Sequence, residues 1–194
     1  MFSSFGHFVG RIYLLDELNY SQEKLSFLTL CFFPLNIIAN LAVAKFGSER
    51  PLIFYYINQF LSLGASLLTI NVVYANFDSL MEFSPFLLDC ILFVLLLIIE
   101  FTQVSIFTTR FAFANKVWDI KVAATHVTLF ASLGNMAQMI PRLYMYQIVD
   151  KFGVFTPNLI GCTIATVIIS LYYPVIMRLD KAPKQSWWAK EHIE

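Results

Sequence analysis

Apolar runs of about twenty residues, each closed by a short polar turn, recur through this chain and constrain its fold more than any other feature. A helix needs about 20 predominantly apolar residues to cross the hydrocarbon core of a bilayer. The runs 25–44, 51–75, 85–108, 122–149 and 154–177 all meet that requirement. In lipid the backbone must satisfy its own polar groups, so such runs become helices. Composition agrees: 58% hydrophobic residues against 13% charged ones is far from a soluble domain. The expectation is an all-α polytopic membrane protein with five complete transmembrane helices plus a truncated first one. That first segment, 1–15 (MFSSFGHFVGRIYLL), is too short to span. Arg11 interrupts it and no small-residue cleavage site follows, so it reads as the second half of a membrane helix rather than a signal peptide. Turns this short make successive helices antiparallel neighbours. One domain, 1–177, holds all the helices, and 178–194 is a polar tail whose Trp187 and Trp188 suit the interface.

Basic residues separate between the two sides of such a topology. Lys45 and Arg50, then Arg110, Lys116 and Lys121, then Arg178, Lys181, Lys184 and Lys190 fall on one side. The alternate turns hold only Lys24 and Lys151 among Asp16, Glu17, Glu23, Asp78, Glu82 and Asp150. The positive-inside rule then puts the C-terminal tail in the cytosol.

Polar residues inside the spans are the candidates for function, because lipid does not tolerate them without a partner. On a helix, Thr125, Thr128, Ser132, Asn135, Met139 and Arg142 share one face, against Val127, Phe130, Ala131, Leu133 and Ala137 on the other. Such a stripe lines a pathway, or its small members glue helices together. Glu100 and Gln103 face one way in the run 85–108; Glu100 serves transport or pairs with Arg142 for packing. Pro34, in mid-span, should kink its helix, and Asn36 and Asn40 should bond to neighbours. Asn58, Gln59 and Asn71 interrupt the following span, and Gly6 and Gly10 form a G-x-x-x-G pair that suits close helix approach. The sequon Asn19-Tyr20-Ser21 lies hard against the membrane and is expected to be unused.

Other chemistries find little support. Net charge is zero, so no nucleic-acid partner is expected. Cys31, Cys90 and Cys162 lack ligand-like spacing and read as free, packed thiols. His7, His126 and His192 are scattered, and phosphate-loop, dinucleotide, metalloprotease and nucleophile-elbow motifs are absent. No enzyme, metal or cofactor is expected.

Asp119, Thr125, Thr128, Leu129 and Asn135 form D-x-x-x-x-x-T-x-x-T-L-x-x-x-x-x-N, closed by Pro141. Leu28, Pro34, Leu35, Ile37 and Ile38 precede it, followed by Arg50-Pro51-Leu52, and Val149-Asp150 comes after it. In this order the motifs resemble the acetyl-coenzyme A transporter family of the major facilitator superfamily, in its C-terminal half. The chain departs from the family at Ala123-Ala124, where Gly-Gly is usual. It departs again at Ala131 and over 137–141, where Asn and a Gly-Gly-Asn-Trp-Pro run are usual. Bacterial muropeptide permeases share a similar Ala-Thr-rich start to this helix. The resemblance implies a six-helix half of a carrier in the endoplasmic reticulum membrane, with acetyl-coenzyme A as substrate. Its other partners would be membrane lipid and either a missing N-terminal half or a second copy. Arg11 and Arg142 would then grip phosphate, since the guanidinium fork matches phosphate oxygens. Asn135, Ser132, Thr128, Thr125 and Gln103 would line the pathway, and Glu100 would pair with an arginine or carry a proton. Lys116 and Asp119 would act as a gate or topology anchor, with Pro34 and Pro141 as kinks. Other expectations remain open: a same-fold carrier of another solute, or a non-transporting membrane assembly subunit.

Overall fold

A computed structural model describes residues 10–47, 50–117 and 147–181, together with Thr125, Thr128, Leu129, Ser132, Met136 and Tyr144. Among the described residues there is no strand, and four helices are long and apolar enough to cross a membrane. The all-α membrane class holds. The expected span 122–149 lies mostly outside the described residues, as does the start of 1–15.

Local sequence accounts for where helices start and stop. Helix α1 covers 10–16 and ends before the turn at Asn19, which tolerates a left-handed φ of 50°. Helix α2, Gln22–Ala42, starts at Ser21, whose hydroxyl caps the amide of Lys24. It widens into a π-helical turn at Val43–Gly47. Helix α3, Pro51–Leu67, opens on a proline, which loses nothing at a first helical position. It runs on through a π segment, Leu68–Val73, and a 3₁₀ turn, Tyr74–Asn76, into α4, Phe77–Phe83. Helix α5, Pro85–Val117, begins behind Ser84, whose hydroxyl accepts the amide of Leu87 at 3.3 Å. Helix α6 covers 147–152, and Gly153, at φ 69°, makes the left-handed turn into α7, Phe155–Lys181.

Several expected boundaries are corrected. The polar stretch 76–84 is largely helical rather than a turn. The basic link 109–121 is helix as far as Val117, so Lys116 extends α5 and does not sit in a loop. Hydropathy marks the edge of the bilayer, whereas a helix continues until a breaker stops it, and 109–117 contains neither Gly nor Pro. Pro34 does stand inside α2, as expected, and is exposed there; the helix leaves α geometry at Val43, in a π turn. Gly10 does pack on Ile70, but a Cβ there would meet it at an ordinary 3.5 Å, so contact does not demand a glycine. Cys162 is buried as expected, whereas Cys90 is exposed.

Cross-helix bonds define the packing. At one end Tyr20 and Lys24 reach Asp89, and at the other Thr108 donates to Asn40 at 2.6 Å, so α2 and α5 run parallel. Helix α3 lies antiparallel to α5, because Gln103 donates to Ser62 and Arg110 to Tyr55. Helix α7 meets α3 at Asn158 with Ser66 and again at Tyr173 with Tyr56, 5.2 Å apart. This order puts Lys45, Arg50, Arg110 and Arg178 at one end of the bundle, with Asp78, Glu82 and Asp150 at the other.

The apolar core is a seam of α5, Leu88, Leu92, Leu96 and Ile99, facing Leu25, Leu28 and Phe32 of α2 and Ala65, Ile70 and Val73 of the α3 arm. That arm is the hub: half of its most apolar window is buried, against 17% for α7. Small buried residues on it, Ser62, Ala65 and Ser66, let neighbouring backbones approach.

Candidate functional site

Arg11 lies where α1, α2, the α3 arm and α5 meet. Its guanidinium stacks 4.8 Å from the ring centre of Phe32, a cation–π contact that partly offsets removal from water. Glu100 and Tyr74 act on it electrostatically from α5 and the α3 arm. The Tyr74 hydroxyl lies 3.6 Å from where a Cβ on Gly10 would stand, next in the chain to Arg11. Nε and Nη2 of Arg11 and the Tyr74 hydroxyl are buried and have no hydrogen-bond partner among the described residues, and the same holds for Oδ1 of Asn36. A buried donor without an acceptor costs about 1–3 kcal/mol, more for a charged group. Unsatisfied donors on an arginine and a tyrosine make a place suited to an acceptor, and to an anion above all.

Glu100 and Gln103 lie on one side of α5 yet have different neighbours. Gln103 is spent on Ser62 of α3 at 3.1 Å, which fits helix adhesion. Glu100 is half-buried within electrostatic reach of Arg11; Arg142, its expected packing partner, lies outside the described residues. Of the polar stripe, Thr125, Thr128 and Ser132 are helical and exposed, and with Leu129 they line a shallow groove of about 510 Å³. Exposure sets these three apart from the buried α2–α3–α5–α7 interior. Asn135, Met139, Pro141 and Asp119 also lie outside the described residues, as do the side chain of Lys116 and the three histidines.

Two further polar groupings emerge only in three dimensions. Asn158 of α7 is buried, accepts from the Ser66 hydroxyl at 3.1 Å and donates to Oδ1 of Asn71 at 2.7 Å. Asn71 in turn donates to the carbonyl of Phe155 at 3.0 Å, and Cys162 packs against Asn158. Every amide here has a partner, so the cluster fastens helices and leaves no group for a ligand. The second grouping is Asp89, which accepts from the Tyr20 hydroxyl at 2.8 Å and pairs with Lys24. Burial, then the bond to Asp89, raises the Tyr20 hydroxyl well above the usual tyrosine range, so this clamp stays protonated at neutral pH. Asp89 has a sequence signal, being an acid one turn into an apolar run. Tyr74 has none, since an aromatic residue near a span end reads as an interface anchor.

Comparison with protein-family models, with curated proteins and with solved structures finds no match to this chain.

Proposed function

We infer that the chain forms one half of a membrane solute carrier that moves acetyl-coenzyme A across the endoplasmic reticulum membrane by alternating access. The observation that carries this reading is the group of unsatisfied buried donors on Arg11 and Tyr74, beside Glu100, inside a bundle of membrane-spanning helices. Ionisable groups at such depth mark substrate or ion paths, and a thioester bearing phosphates supplies the acceptors those donors need. The resemblance through Asp119, Thr125, Thr128 and Asn135 points to the same substrate. Alternating access requires an opposing wall, from another six-helix half or a second copy, and the exposed face of Thr125, Thr128 and Ser132 suits that wall.

The test is uptake of labelled acetyl-coenzyme A into vesicles holding this chain with and without a co-expressed N-terminal six-helix half. Saturable uptake that needs both supports the reading. Uptake of a muropeptide instead moves the substrate but keeps the carrier, and no uptake of either by the assembled pair overturns it. Orientation has its own measurement. Cysteines at Lys45 and Asp78 should react with impermeant reagents from opposite faces, Lys45 from the cytosol, because they sit at opposite ends of the bundle. Labelling of both from one face would sink this arrangement.

A further inference from the structure

We propose that the groove between the starts of α2 and α5 is a phospholipid site selective for a primary-amine headgroup, as in phosphatidylethanolamine. The parallel packing of these helices brings both N-termini to one end of the bundle. A cleft between them therefore has its mouth at the membrane surface and its body in the hydrocarbon. The groove encloses about 520 Å³, within the range of about 300–1,000 Å³ typical of small-molecule sites. Phe27, Phe93 and Val94 wall its lower part, and Tyr20, Glu23, Lys24 and Asp89 ring the mouth. Phe27 and Val94 are 64% and 53% exposed, so an acyl chain enters without moving them.

Charge decides the headgroup. Lys24 is fixed by Asp89 and lies 5.7 Å from the centre of the Tyr20 ring, yet its side chain keeps 49% exposure. It therefore has hydrogens left for a phosphate, which the N-terminal end of α2 also favours. Glu23, exposed beside it, offers a carboxylate to a cation. The mouth holds one cation and two carboxylates. With Asp89 taken up by Lys24, Glu23 is left for the ammonium and the remaining Lys24 hydrogens for the phosphate, which complements a zwitterion whose ammonium can donate hydrogen bonds. A choline headgroup has no such donors, and a glycerol headgroup brings only negative charge towards Glu23.

Native mass spectrometry of the full chain in detergent, supplied with phosphatidylethanolamine, phosphatidylcholine or phosphatidylglycerol in turn, tests this. The amine lipid should be retained about tenfold more than either competitor, the discrimination that one charge-assisted hydrogen bond supplies. Val94→Trp, which fills the groove from an exposed position and leaves Lys24 and Asp89 alone, should abolish retention. Glu23→Gln, a surface change, should reduce the preference over phosphatidylcholine to within about twofold. Equal retention of all three lipids would mean ordinary annular lipid and overturn the proposal. So would retention unaffected by both variants, or recovery of a second protein chain on this face in place of lipid.

Discussion

Arg11→Ala is expected to lower saturable acetyl-coenzyme A uptake by the assembled carrier by about ten- to a hundredfold, with Arg11→Lys losing less. Nε and Nη2 of Arg11 have no acceptor among the described residues, and hydrogen bonds to a charged group are worth about 1.5–3 kcal/mol each. Lysine keeps the charge and loses the fork. Tyr74→Phe separates ligand binding from folding. Its hydroxyl is buried without a partner among the described residues, so removing it alone should leave thermal stability unchanged or raised. If the hydroxyl meets substrate, uptake falls all the same. Full uptake by Arg11→Ala and Tyr74→Phe proteins that reach the membrane normally would show that neither side chain contacts the solute.

A large loss of stability is expected from Asn158→Ala. The change removes the acceptor of Ser66 and the donor to Asn71, and leaves a small cavity at a position only 2% exposed. Interhelical hydrogen bonds in membranes average about 0.6 kcal/mol and reach about 1.7, so the two bonds and the cavity together should cost about 1–3 kcal/mol. Asn158→Asp should be worse, because a charge at membrane depth costs at least about 2.5 kcal/mol. Thr163→Ala is the control: its hydroxyl is exposed and, among the described residues, bonds only the carbonyl of Leu159 in its own helix. That variant should stay within about 0.5 kcal/mol of the parent. Unfolding in mixed micelles measures all three, and an Asn158→Ala protein as stable as the Thr163→Ala one would show that the cluster does not fasten α7 to α3.

Legibility differed from residue to residue. Leu25 to Ala44 reads as a span because length and hydropathy are local quantities, and α2 with its π turn covers that stretch. Gln103 and Asn71 were visible as polar interruptions, but their partners were not. Ser62 lies 41 residues from Gln103, and the Phe155 carbonyl 84 residues from Asn71. Arg11 was visible as a charge in an apolar segment. Its setting between Phe32, Tyr74 and Glu100 brings together residues from three other helices, which no spacing rule contains.

The sequence by itself determined the membrane class and the helical state of each described span. Both follow from transfer free energies and backbone satisfaction, which depend on neighbouring residues alone. Tertiary structure decided which polar residues meet. Ser66 and Asn71 both bond Asn158, although five residues of α-helix set two side chains about 140° apart. The π segment at Leu68–Val73 changes that, because its i→i+5 ladder makes five residues nearly one turn. A wider turn is paid for by packing against α5 and α7, and packing between distant segments is invisible to a periodicity read along one strand of sequence.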